Sequence, residues 1–183
     1  MAFVVVYDAC ALYGNTLRNL LIRVARARLV QAKWTERILD EVDRTLAEKR
    51  GIPEHKRRRL RELINGSVAD CLVEGYEPLI DGLALPDPDD RHVLAAAIRV
   101  GAQVIVTANL SDFPPDYLEQ WDIEAKSPDD FMLDLIGIND RVVYSCVQQI
   151  VDERVNPPET IDDVLGQLER SGLIESAAAL RLG

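Results

Sequence analysis

Four acidic residues stand where this chain would ordinarily place something else. Asp8 follows directly on the apolar run Phe3 to Tyr7, and Glu41 lies at the edge of an apolar stripe near Ile38, Thr45 and Trp34. Asp90 falls at the centre of the helical face shared by Val93, Leu94, Ala97, Ile98 and Val100, and Asp112 sits in the loop that follows Gln103 to Thr107. A buried anion is costly unless a helix N-terminus, hydrogen-bond donors or a cation compensates it. Carboxylates brought together repel one another, so they take up protons or bind a hard cation. Mg²⁺ or Mn²⁺ held by a few carboxylates and waters is the usual equipment for phosphodiester hydrolysis.

Each acid also has a plainer use. Asp87 reads as an N-cap, Pro88 as the first helical residue, and Asp89 and Asp90 as acids favoured by the helix dipole. Asn109 and Asp112 are ordinary turn formers. Of the four acids after Thr35, Glu36, Asp40 and Asp43 cluster opposite the apolar stripe, and only Glu41 reaches the core boundary. Arg91, His92, Ala95 and Arg99 are expected on the outward side of their helix.

The elements that must position these acids alternate. The β-branched run Phe3 to Tyr7 suits a central parallel strand buried on both faces. Helical spacing follows from Leu12 to Arg28, then a short strand over Leu29 to Ala32 and a helix opened by Thr35. Gly51-Ile52-Pro53 breaks that helix, and a basic helix runs from Glu54 through Leu63 to end near Asn65-Gly66. Asp70 to Glu74 is expected to be an edge strand, Gln103 to Thr107 a second buried strand, and Asp122 to Lys126 the last one. In a doubly wound sheet the strand ends and helix starts that carry the four acids lie at one edge, where open α/β sheets bind ligands.

The chain has 183 residues, 48% of them hydrophobic, enough for one domain with a real core. No run approaches a membrane span, and Met1 leads straight into a strand-like stretch, so a cytoplasmic protein without membrane association is expected. Cys10, Cys71 and Cys146 are widely spaced with only two histidines to help them, which argues against zinc and disulfides. The net charge of −10 is unevenly spread: residues 1–61 hold fourteen Lys/Arg against seven Asp/Glu, and the remainder seven against twenty-four. The basic part, with the run Lys56-Arg57-Arg58-Arg59, is where a polyanion would lie.

Together, VVVYDACALY, WTERILDEV, DPDDRHVLAAAI and VTANLSDFP, in that order, resemble the PIN-domain ribonucleases and, within them, the VapC-like toxins of toxin–antitoxin pairs. The resemblance covers residues 1–136. It implies a three-layer α/β/α domain with a central, mostly parallel sheet, and a metal-dependent endoribonuclease using Mg²⁺ or Mn²⁺. Asp8, Glu41, Asp90 and Asp112 would be its catalytic acids. Asp8 and Asp90 would hold the metal directly, Asp112 would complete the site with Glu41 through water, and Asn109 would donate a hydrogen bond. Many relatives have an acid at the position of Asn109, a departure that bears on the assignment of Asp112 as the fourth acid and leaves one tightly held metal open beside two. RNA would be the substrate, with Arg18, Lys56, Arg57, Arg58 and Arg91 against its backbone, and the partners a cognate antitoxin and a second copy in a homodimer. Two other readings are a PIN-like module that binds RNA or protein without cleaving, and a phosphatase using Asp8 as nucleophile. The second lacks the usual acid two residues on, where Cys10 stands.

Residues 137–183 form a separate helical extension. Asn139 to Val155 is amphipathic through Val142, Val143, Cys146, Ile150 and Val151; Thr160 and Asp163 have the form of a capping box; Leu173 to Leu182 is a third helix. The apolar stripes of these helices must pack on the domain, on a second copy or on a partner.

Overall fold

The computed structural model describes residues 2–183. Strands β1 (Phe3–Tyr7), β2 (Val30–Lys33), β3 (Val104–Val106) and β4 (Glu124–Lys126) form one wholly parallel sheet in the order β2-β1-β3-β4. Val6 of β1 pairs with Lys33 on one side and Ile105 on the other. Val5, Val6 and Tyr7 are all fully buried although successive side chains point to opposite faces, so both faces of the sheet are covered. The Tyr7 hydroxyl donates to Leu21 O (2.9 Å) of α2 (Asn15–Arg26), and its ring meets Phe131 of α8 (Pro128–Glu153) edge to face. This is the three-layer α/β/α arrangement expected from the sequence.

The connections follow local chemistry. Asp8 caps the short α1 (Ala9–Leu12), and the helix expected from Leu12 resumes only at Asn15, after Gly14. Thr35 caps α3 (Glu36–Arg50) by accepting from Ile38 N, and Gly51 ends it with a left-handed φ of 59°. The basic helix is α4 (Glu54–Ser67), and α5 (Glu77–Ile80) is a single turn. A 3₁₀ turn over Pro88–Asp90 leads into α6 (Arg91–Val100), which Gly101 closes at φ 62° so that β3 can start at once. A second 3₁₀ turn, Leu110–Asp112, precedes α7 (Pro115–Leu118).

Three expectations need correction. Asp70 to Glu74 is not a strand: Leu72 makes one parallel bridge with Trp34, and Asp70 (φ 55°) and Gly75 (φ 73°) turn the backbone away on either side. Asp112 therefore follows the third strand. His92 and Ala95 do not face outward but are fully buried, because α6 lies between β1 and β3 on one side and other helices beyond, and needs more than one apolar stripe.

The C-terminal helices pack on the domain and on each other. Helix α8 is two helical halves that meet at a kink at Asn139 (φ −158°, ψ 89°), close to the position expected to divide domain from extension. Asn139 Oδ1 accepts from Val142 N and so caps the second half. Val143, Cys146, Val147 and Ile150 are buried against α2, α9 (Ile161–Arg170) and α10 (Ile174–Leu182). The capping box of α9 is formed by Thr160 and Asp163.

Trp34 is the largest fully buried side chain; it stacks on Tyr7 (centroids 6.3 Å apart), and its Nε1 donates to Asn65 Oδ1 at 3.0 Å. Trp34→Ala is expected to lower stability by about 3–5 kcal/mol in urea denaturation. Trp34→Phe keeps most of the ring and should lose clearly less.

A carboxylate cluster as candidate active site

The sheet order places β1 beside β3, the strands from which the chain departs to opposite sides. Ligands of such sheets lie beyond the carboxyl ends at this crossing. Asp8 ends β1 there with only 3% of its surface exposed. Its carboxylate accepts from Ala9 N (2.7 Å), from the Thr107 hydroxyl (2.8 Å) and, weakly, from Cys10 Sγ (3.5 Å). Thr107 is fully buried at the end of β3, and its oxygen accepts from Asn109 N at 3.1 Å. One hydroxyl thus joins the acid of the first strand to the loop after the third.

The other acids come from helix starts at the same edge. Asp90 is half-buried in the 3₁₀ turn that Asp87 caps by accepting from Asp89 N (2.9 Å). Asp112 is half-buried in the turn after β3. Glu41, in the second turn of α3, accepts from the ring of His92 on α6, with Oε1 and Nε2 2.7 Å apart.

Electrostatics shows that these groups share one neighbourhood. Burial raises the Asp8 carboxyl above the usual range, its three donors pull it back, and Glu41 pushes it up again. Asp90 is pushed up to about 7, first by burial and then by the charges of Asp8, Asp87, Asp112 and Glu41. Every charge acting on Asp90 in this way is an acid. The Tyr13 phenol, raised by burial despite a hydrogen bond from Thr45, also feels Glu41 and Asp8, so it borders the cluster.

The donor set suits a hard divalent cation. The converging groups are carboxylate oxygens, the ligands Mg²⁺ and Mn²⁺ prefer. The Cys10 thiol is pushed up to about 11 by burial and by Asp8, and it donates weakly to the Asp8 carboxylate. Among the described residues no three acids, histidines or cysteines form a ready-made cage. One or two carboxylates completed by water and phosphate oxygens is the ordinary Mg²⁺ arrangement, which needs no such cage. A cleft of about 730 Å³ runs along β4 past Phe3, Glu119 and Ile138 and holds none of the four acids.

The expected basic residues do not gather into one surface. Arg18 is 6% exposed, and its guanidinium donates to Leu12 O, Tyr13 O and Asn15 Oδ1. It braces the loop after α1 and is not available to a backbone phosphate. Arg57 is paired with Asp43 (2.9 Å), and Arg61 with Glu36 and Asp40, so the acids on the outer face of α3 hold α4. Arg91 Nε donates to Pro88 O at 3.0 Å. Lys56 and Arg58 are exposed. Sequence reasoning missed Thr107, Tyr13 and His92; a polar residue closing the buried run Gln103 to Val106 was the available signal for the first.

The profile described as "PIN domain" matches residues 4–111, and that described as "VapC50 C-terminal domain" matches residues 128–182. Over 93 residues the chain is 42% identical to "Putative ribonuclease VapC50" of Mycobacterium tuberculosis, a match covering 51% of this chain and 55% of the relative. The chain thus spans about half the length of the curated relative it matches. No solved structure matches it.

The raised Asp90 sets a pH dependence. The folded state holds this proton more tightly than the unfolded chain does, so stability is greatest below the ordinary Asp range and falls as pH rises towards 7. Asp90→Asn removes the charge. In EDTA its melting temperature should exceed that of the wild type by more at pH 8 than at pH 5, as read by thermal denaturation.

Proposed function

The chain belongs to the PIN-domain family, and from that premise we propose that it is a divalent-cation-dependent endoribonuclease, the toxin of a toxin–antitoxin pair. The observation that carries this reading is the convergence of Asp8, Glu41 and Asp112 on Asp90, which burial first, and then their charges with that of Asp87, push up to about 7. A relative whose printed name is that of a ribonuclease supports the choice of RNA. Residues 1–136 form the nuclease domain and residues 137–183 its helical extension.

Asp8 and Asp90 would hold the cation, Mg²⁺ or Mn²⁺, with Asp112 completing the set. When bound, the cation supplies Lewis-acid polarisation of water and of a phosphate oxygen. Thr107, Ala9 N and Cys10 fix the Asp8 carboxylate, so that it meets its ligand without reorganising. Glu41 and Asp112 orient the attacking water and accept its proton. The water oxygen bonds to phosphorus, the bond to the 3′ oxygen breaks, and that oxygen takes up a proton. The products carry a 5′-phosphate and a 3′-hydroxyl. Asn109 donates to a carboxylate or phosphate oxygen. Exposed Lys56 and Arg58 offer charge to the RNA backbone, which positions the strand without reading its sequence.

A cognate antitoxin protein is the partner this reading calls for, and a second copy of this chain is compatible with it. Among the described residues no helix is long and apolar enough to cross a membrane. A second reading, a module that binds without cleaving, is favoured by Asn109, where many PIN-domain relatives carry an acid.

The two readings separate on purified total RNA. Wild type with Mn²⁺ or Mg²⁺ should give discrete cuts ending in 5′-phosphates, EDTA should abolish them, and Asp8→Asn or Asp90→Asn should lower the rate by at least about 10²-fold. Absence of cleavage by the wild type, together with no Mn²⁺ binding in calorimetry, overturns the nuclease reading.

A further inference from the structure

His92 has no part in the chemistry above, yet it occupies a costly position. Its side chain is fully buried on α6, two residues after Asp90. Nε2 lies 2.7 Å from Glu41 Oε1, and Nδ1 is buried without a hydrogen-bond partner. A core position filled by leucine would have avoided that unpaired nitrogen. What the imidazole adds over leucine is one directed hydrogen bond to Glu41.

The geometry of that bond constrains Glu41. Glu41 is on α3, and its side chain is 27% exposed, so without a partner it would sample several rotamers at the edge of the cluster. Nε2–H donating to the carboxylate is the tautomer that satisfies the pair, with Nδ1 left as a lone pair and not as a buried donor. The carboxylate is then held at one oxygen, Oε1, and Oε2 remains for the site. Because His92 and Asp90 follow one another on the same helical start, the bond also sets the distance between α3 and the turn bearing Asp90.

We propose that His92 is a positioning residue, whose buried hydrogen bond fixes the Glu41 carboxylate against the Asp8–Asp90 pair and so pre-forms the site. This rests on the nuclease reading, and it adds to that reading a group that touches neither RNA nor cation. A loosened acid loses effective concentration at the reacting centre, which lowers turnover more than substrate affinity.

The test is a double-mutant cycle between His92 and Glu41, read on cleavage of a fluorogenic single-stranded RNA with Mn²⁺ and on calorimetric Mn²⁺ binding by each protein. His92→Leu should lower kcat by tenfold or more with KM within about threefold, and should weaken Mn²⁺ binding measurably. His92→Gln, whose amide can place an N–H near the Nε2 position, should recover a substantial part of both losses. In the Glu41→Ala background, His92→Leu should have little further effect, because the acceptor of the bond is already gone.

A merely structural histidine would give the opposite pattern. Losses of equal size in both backgrounds, no rescue by Gln, or a wild-type rate in His92→Leu each overturn the proposal while leaving the nuclease reading standing. Thermal denaturation of every variant identifies one that fails to fold, and the cycle is then judged on His92→Gln against Glu41→Ala. A wild type that neither cleaves nor binds Mn²⁺ overturns both readings.

Discussion

Burying the charge of Asp8 is the constraint around which the rest of the structure is arranged. An ion removed from water costs on the order of several kcal/mol unless its lone pairs are met. Three donors meet them here, and one of them, the Thr107 hydroxyl, reaches across from the neighbouring strand. That hydroxyl can reach only because β1 and β3 are adjacent and in register, with Tyr7 opposite Val106. The sheet order is therefore part of the site, and a change in register would leave Asp8 unsatisfied.

The remaining acids lie on elements that could move relative to the sheet, and other interactions pin them. Helix α3 is held on its outer face by Arg57 and Arg61 of α4 and on its inner edge by the bond from Glu41 to His92. The basic run that looked like a polyanion surface is thus partly a brace for the helix that carries Glu41. Exposed ion pairs of this kind add little stability individually. Their value is geometric, because together they fix the face that α3 turns towards the carboxylates. Arg18 does the same for the loop after α1 by donating to two backbone carbonyls.

The C-terminal helices belong to the same packed body. Tyr7 of the central strand rests against Phe131 of α8 on the layer that also contains Leu21 of α2. The kink at Asn139 lets the two halves of α8 serve first the sheet and then the bundle with α9 and α10. The carboxylate cluster and the extension are accordingly connected through the core.

The sequence alone determined whatever depends on neighbours a few residues away. The strand cores, the caps at Thr35, Asp87, Ser127 and Thr160, the stop at Gly51 and the suspect position of each of the four acids follow from periodicity and turn chemistry. Their common location was legible too, because α/β topology sends strand ends and helix starts to one edge. Only the tertiary structure decided which polar groups meet across long separations. Thr107 meets Asp8 across 99 positions, His92 meets Glu41 across 51, and Arg61 meets Glu36 across 25. It also decided that Asp70 to Glu74 has room for one bridge and not a strand. Such partners leave no periodic trace, because a hydrogen bond between distant residues depends on the relative placement of whole elements, which packing fixes and local pattern does not.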